Sequence, residues 1–484
     1  MKLSRLTRTA SFIALAAVAA SACDDGLTEI NENPNTPSRV PSELLFPTAV
    51  QSAVNRALGS TLHYDYAATW IQHYAKIQYT NEDRYQLRST GNDAHWLGFY
   101  AGALQDFQGV IAKADSTGEP NKKAAALVMK SWTMGIVTDV WGDVPYTQAN
   151  LGLDAIGGDR SVTSPKYDPQ QVVYNGLFAE LTAAAKMITP SGSNFGTADL
   201  IYGGDMAKWR KFANSLHLRH AMRLSQVDPA KGRAEFVAAM SDAGGVFTSN
   251  ADNAMLQYQS SRPNNHPLNE LFRTRYDQVI SKTLVDTLNS LKDPRVAIYA
   301  DKNAFGEYRG AQNAVTSPKV PFDSLSSIGA YFLAPDAPGM LQSYAEVLLL
   351  QAEAAQRGWI AGNAAELYQA AIRANMSFYG ISSAQIDAYL AQPRVAYAGL
   401  PSIHLQKWIV LYGNGPEAWA EQRRTDTPAL KRGPNAASSV TTIPMRFTYP
   451  LIEQSVNDAN RLEAIQRQYG KESVTLNDKV WWDK

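Results

Sequence analysis

The chain has 484 residues, 45 basic against 45 acidic side chains, 45% apolar residues and a single cysteine. This balance leaves no electrostatic footprint for nucleic acid or an anionic lipid surface, and one cysteine excludes an internal disulfide. The apolar fraction is enough for a large core in one extended domain or two close-packed ones.

The first residues read as an export signal: Lys2, Arg5 and Arg8, then the apolar run Phe12 to Ala20, then Ser21 and Ala22 before Cys23. The apolar run is far short of the roughly 20 residues that a spanning helix needs. Small residues directly before the lone cysteine resemble a bacterial lipobox, in which the thiol receives lipid. Residues 1–22 are therefore expected to be removed and Cys23 to be the lipid attachment point. A departure is Ala20, where leucine is commonest. The stretch 23–41, with Asn31, Asn33, Pro34, Asn35, Pro37 and Pro41, reads as a flexible tether. The remainder, 42–484, reads as one mainly α-helical domain.

Helical signals start near Ser42. A helical pair is expected over 96–114 and 122–139, broken by Gly118, Glu119 and Pro120, with further helices over 168–188 and 206–225. Between about 240 and 340 the periodicity gives way to scattered Pro, Gly and Asn, which predicts a loop-rich insertion, the kind of segment that carries function. The clearest local pattern follows. Ser343–Arg357 forms an apolar-faced helix, and Ala364, Leu367, Tyr368, Ala371, Ile372, Met376 and Tyr379 make the stripe of the next, with Asn363 and Glu366 at its start and Gly380 at its end. Two such antiparallel helices are the unit of a tetratricopeptide-like solenoid, although no clean repeat is visible. Pro416 suits the first turn of a helix over 417–424.

Enzymatic motifs such as HExxH, GxSxG and the P-loop are missing from the sequence. His217 and His220 have helical spacing, but Arg219 and Arg223 crowd them and would repel a metal ion. Asp139 and Asp143 could form a glycosidase pair, yet they also suit the turn through Pro145. Glu346 and Glu353 share a helical face, with Arg357 placed to pair with Glu353. No catalytic residue, metal or cofactor is assigned.

Aromatics offer more. Tyr64, Tyr66, Trp70, Tyr74, Tyr79, Tyr85, Trp96, Phe99 and Tyr100 crowd the stretch 63–100, interleaved with amides and Arg84. Sugar rings present apolar C–H faces fringed by hydroxyls, so an aromatic platform with polar neighbours suits them, and peptides can use the same surface. Trp70, Tyr74, Trp96 and Tyr100 have core spacing. Tyr79, Arg84 and Tyr85 are the expected ligand contacts of this stretch. In the insertion the candidates are Arg262, Asn264, Asn265 and His266, with ring surfaces from Tyr308, Tyr331 and Phe332.

Several segments in order resemble the SusD/RagB family, in its SusD-like branch. They are Leu27–Pro47, WGDVPYTQA at Trp141–Ala149, DPR at Asp293–Arg295, Ala345–Trp359, Gln406–Thr425 and Phe447–Asn460. The resemblance implies a helical body of four divergent tetratricopeptide-like pairs and an irregular ligand-facing part. It also implies an outer-membrane lipoprotein facing the exterior, with Asp24 and Asp25 as the export signal after Cys23. Such a protein would act as a non-catalytic lid that passes oligosaccharide, or peptide, to a SusC-like TonB-dependent transporter. Rival readings are a transporter-stabilising scaffold without its own ligand and a glycoside hydrolase using Asp139 and Asp143.

Overall fold

The computed structural model describes residues 40–151 and 163–483. The expected signal segment, Cys23, Asp24 and Asp25 lie outside the described residues. Helices account for most of the ordered structure, and each begins and ends where local chemistry allows. Helix α1 (Ser42–Leu58) buries Phe46, Ala49, Val50, Ala53 and Val54 on one face. Helices α2 (Gln105–Thr117) and α3 (Pro120–Trp141) are separated by Gly118, whose φ of +68° closes α2, while Pro120 opens α3. Next come α4 (Gln170–Met187), α5 (Met206–Arg223), capped by the Asp205 carboxylate, and α6 (Pro229–Met240), capped by Asp228.

These helices stack in series, α2 on α3, α3 on α4, α4 on α5 and α5 on α6. Helix α3 is buried on nearly all sides, which its small residues permit. Gly135 shows the constraint: an added Cβ would stand 2.5 Å from Cε1 of His220 on α5.

The insertion holds α7 (Lys282–Ser290), whose Ser281 hydroxyl accepts from the Thr283 N–H. Beyond it, α8 (Tyr344–Gln356) packs antiparallel to α9 (Ala364–Phe378), the pair expected from the sequence. Asn363 caps α9 as expected, although its amide also donates to Glu366, so the reciprocal bond goes to side chain rather than backbone. Helices α10 (Leu400–Val410), α11 (Gly415–Thr425) and α12 (Asp458–Tyr469) complete the body.

Buried charge joins the two halves. Arg219 and Arg223 on α5 meet Glu346 on α8 at 2.7 Å and Glu417 on α11 at 2.7 Å. Arg424 forks onto Glu353 and Glu421, each at 2.6 Å, and Lys407 reaches Glu421 at 3.0 Å. Such a network adds little net stability over an apolar core, but removing one partner strands a buried charge and is costly.

Three two-stranded antiparallel sheets were not expected: β1 (Tyr74–Lys76) with β5 (Gln278–Ile280), β2 (Val144–Pro145) with β3 (Tyr167–Asp168), and β4 (Ala254–Leu256) with β6 (Gly339–Gln342). Strands of two to four residues are too short to display alternation.

Candidate functional site: an aromatic platform on the β1–β5 ladder

Strand β1 follows the aromatic stretch, and β5 lies in the insertion. Their register, Tyr74 to Ile280 and Lys76 to Gln278, is extended by the Ile77 N–H donating to the Asp277 carbonyl at 2.8 Å. Ala75, Ile77, Val279, Ala311 and Leu325 form a small separate core beneath this ladder. Past it both chains turn outward and present rings to solvent. Tyr79 is 63% exposed, Tyr276 52% and Phe322 50%. The Arg275 guanidinium lies 4.9 Å from the centre of the Tyr79 ring, and Tyr276 stands 6.4 Å from Phe322. Together with Gln78, Thr274 and Asp277 they line an open cavity of about 470 Å³.

Phe305, 69% exposed, lies in a neighbouring turn: the Ala304 N–H donates to the Asp323 carbonyl at 3.0 Å, and Asn303 fixes the turn. Among the described residues only five aromatic side chains are exposed, the fifth being Tyr331. Three of the five, Tyr79, Tyr276 and Phe322, therefore line this one cavity, and Phe305 lies in the adjoining turn.

Buried polar groups hold this corner. Lys76 donates to Asp65 and Glu82, both at 2.7 Å, and Arg88 closes on Glu82 from outside. Asp83 accepts from the Lys76 N–H at 3.0 Å and from the Asn313 amide at 3.0 Å. Burial pushes the Asp83 carboxyl up to about 7 and holds that of Asp65 above the ordinary carboxylate range. Tyr79 itself has φ of +49°, a conformation that a non-glycine residue adopts at a cost of about 1–3 kcal/mol and that persists only where the surroundings impose it.

The candidate residues from the sequence divide. Tyr79 stands on the platform. Tyr85 does not: it is 3% exposed, its ring packed edge-on against Trp70. Arg84 donates to the Asn435 carbonyl at 2.9 Å and braces a neighbouring loop. His266 is buried and caps a short helix by accepting from the Leu268 N–H at 3.1 Å. Tyr331 and Phe332 line, with His266, a crevice of about 40 Å³, room for a water or two and not for a sugar ring. Arg262 pairs with Glu270, Asn265 bonds Asn269, and Asn264 lies apart beside Gln51 and Tyr258. Tyr308 lines a different groove, with Lys302 5.7 Å from its ring centre. Tyr276, Phe322, Phe305 and Arg275 were missed. Each is a large side chain set among polar or turn residues in an aperiodic stretch, and that local pattern was the available signal.

Trp70, Tyr74 and Trp96 are core residues, as their spacing predicted. Asp139 accepts from Tyr174 at 2.6 Å and Trp482 at 2.7 Å, and Asp143 accepts from Gln170 at 2.9 Å and Arg467 at 2.8 Å. Both carboxylates are buried parts of the helical body, away from the platform. His217 bonds Glu235 at 2.8 Å, and His220 is sealed beneath Gly135. Glu353, His404 and Glu421 converge closely enough to suggest a metal site, but Arg424 and Lys407 already occupy the carboxylates. No described helix is long and apolar enough to cross a membrane.

A family profile described as SusD-like, starch-binding and associating with the outer membrane matches residues 34–450. Curated proteins gave no match. A solved chitin-binding protein has a TM-score of 0.79 at 31% identity, covering 91% of this chain and 99% of its own. A chitin-binding SusD homologue from Flavobacterium johnsoniae has a TM-score of 0.80 at 25% identity, with coverage of 92% and 98%. A SusD homologue from Bacteroides fragilis scores 0.79 at 25% identity, with coverage of 92% and 100%. Profile, fold and chain coverage agree, and the chain belongs to the SusD-like family.

Proposed function

We propose that this protein is a lipid-anchored, non-catalytic glycan-binding protein of the cell surface that passes oligosaccharides to a SusC-like TonB-dependent transporter. The observation that carries the reading is the platform of Tyr79, Tyr276 and Phe322, three exposed rings around one cavity at the end of a braced ladder, with Phe305 in the adjoining turn. A pyranose stacks its C–H face on such a ring, and each good stack adds about 1 kcal/mol beyond area burial. Arg275, Asp277, Gln78 and Thr274 supply donors and acceptors for the hydroxyl fringe. Because the ladder and the ion cluster below it fix the backbone on which Tyr79 and Tyr276 stand, less ordering entropy opposes binding.

Two relatives of the same fold are described as chitin-binding, which makes chitin oligosaccharides the first ligands to test and starch oligosaccharides the second. The anchor at Cys23 and the transporter partnership are supported by the sequence signal and by the family's description as associating with the outer membrane. Isothermal titration of the mature protein against chitin, starch and peptide panels tests the ligand class. Saturable binding to a glycan that Tyr79→Ala and Phe322→Ala both weaken is expected, and binding to peptides alone would overturn the glycan reading. Retention of Cys23→Ser on the membrane would overturn the anchor.

A further inference from the structure

Two adjoining cavities, of about 590 and 310 Å³, share Lys282, Asp286 and Gln312 and form one groove next to the platform. Five cations line it: Lys282, Arg309, Lys319, Lys431 and Arg432. The only acidic residue in the lining is Asp286, and Lys282, one helical turn away, already pairs with it. Arg309, Lys319 and Lys431 are exposed and have no ion-pair partner among the described residues, and Arg432 donates only to the backbone carbonyls of Ala436 and Ala437. A chain with equal numbers of acidic and basic residues thus concentrates four uncompensated positive charges in one concave surface.

The groove and the platform are continuous through one segment of chain. Residues 315–320 line the groove, and Phe322, two residues beyond Val320, lines the platform. Thr80, next to Tyr79, donates to the Thr316 carbonyl at 3.5 Å, which ties the platform loop to the groove wall. Groove and platform are thus neighbours joined by residues 320–322, close enough for one oligosaccharide to be tested on both.

Like charges held together at a concavity raise each other's energy and concentrate an opposite charge there. Arginine forks match carboxylate and sulfate geometry with paired bonds, whereas lysine heads act as point charges. Neutral chitin or starch would leave all four cations unanswered. We propose, building on the glycan reading above, that the natural ligand is an acidic oligosaccharide. Its sugar faces stack on Tyr79, Tyr276 and Phe322, and its carboxylate or sulfate groups lie in the groove on Arg309, Lys319, Lys431 and Arg432.

The test is isothermal titration of the mature protein at low salt with oligogalacturonate and oligoalginate as carboxylate probes, chondroitin sulfate fragments as the sulfate probe, and neutral chitin and starch oligosaccharides. At least one acidic probe is expected to bind about tenfold or more tightly than the neutral chains, and to lose most of that advantage at 0.5 M salt, where screening acts within about 5 Å. The Arg309→Gln, Lys319→Gln, Lys431→Gln, Arg432→Gln variant should lose the advantage while keeping any neutral-chain affinity; these exposed changes remove no core contact. Phe322→Ala should weaken both ligand classes. If a neutral chain binds and no acidic probe binds better, or if the quadruple variant holds the acidic probe as tightly as the parent, the groove assignment is overturned and the platform stands. Failure of both classes overturns both. If no acidic glycan binds but the quadruple variant no longer co-purifies with a transporter, the groove is a protein contact instead.

Discussion

Replacing Lys76 by Met tests whether the platform depends on the ion cluster beneath it. Lys76 is buried, and its ammonium stands 2.7 Å from carboxylates of both Asp65 and Glu82. Met keeps the apolar stem but leaves two buried carboxylates without their shared cation. Removing one partner of a buried ion pair costs about 3–5 kcal/mol. Two compensations keep the estimate at the lower end: Glu82 retains Arg88, and Asp65 retains the Gln278 amide at 2.6 Å. A loss of ~3 kcal/mol in denaturant unfolding at pH 8 is expected. The sign with pH follows from Asp65, whose carboxyl burial already holds above its ordinary value. A folded-state value raised above the unfolded one favours the folded state most at low pH, and that contribution fades as pH rises. Loss of Lys76 raises it further, so the variant should be destabilised less at pH 5 than at pH 8, by ~1 kcal/mol or more. Glycan affinity should fall with it, because residues 77–79 hang from this cluster. A change below ~1 kcal/mol at pH 8, or an equal change at both pH values, would refute the reasoning.

Tyr79→Ala and Phe322→Ala should each weaken glycan binding about fivefold, the equivalent of ~1 kcal/mol per stack, without lowering the melting temperature, since both rings are exposed. Asp83→Asn should flatten the stability profile between about pH 4 and 7: burial raises the native carboxyl to about 7, so the parent loses that contribution as pH climbs through this window, as denaturant titrations at several pH values would record. Arg424→Met should cost about 3 kcal/mol at neutral pH by removing the guanidinium that Glu353 and Glu421 share, Arg357 and Lys407 remaining to them. Both carboxylates are held below their ordinary value by Arg424, so the parent should lose this stability as pH falls below about 4.5, and the variant should show a shallower acid limb.

The helical body was legible because its signals are local. Gly118 and Pro120 mark a helix boundary within three residues, and the stripe from Ala364 to Tyr379 faces one way in any helix. Most of the platform was not legible, because its parts meet only where β1 pairs with β5, segments far apart in the chain. Tyr79 and Tyr85 look alike in sequence, each beside polar residues in a loop. What separates them is where the chain carries each ring, Tyr79 out beside Arg275 and Tyr85 in against Trp70. Likewise, His266 reads as a polar ligand in a loop of Arg and Asn, yet helix capping consumes it. The buried network of Arg219, Glu346, Glu353 and Arg424 shows the same limit: the Glu353 to Arg357 pair is visible at i, i+4, but the stronger fork from Arg424 is not.

Asn313 is the residue through which the platform and the groove depend on each other. Its amide donates to the Tyr74 carbonyl at 2.8 Å, to the Thr69 carbonyl at 3.2 Å and to Asp83 at 3.0 Å, while its carbonyl accepts from the Ser281 hydroxyl at 2.5 Å. One buried side chain thus joins β1, the platform loop and the cap of α7, and it lies on the groove lining. Irregular backbone stays in place only where its buried polar groups are all satisfied. Asn313→Ala leaves the Tyr74 carbonyl and the Asp83 carboxyl each short of a donor, while the Thr69 carbonyl keeps the Gln72 N–H at 3.0 Å, and the cost of stranding a buried group is about 1–3 kcal/mol. Relaxation of the loop to recover water is the cheaper outcome, so global stability should fall by only ~2 kcal/mol while amide exchange over residues 77–86 accelerates. Neutral and acidic glycan affinities should then drop together. Phe322→Ala removes one stack and the groove substitutions remove only charge, so neither should change exchange in that loop. If Asn313→Ala leaves exchange over 77–86 at the parent rate, the loop is held by the Lys76 cluster alone, and the two surfaces are independent.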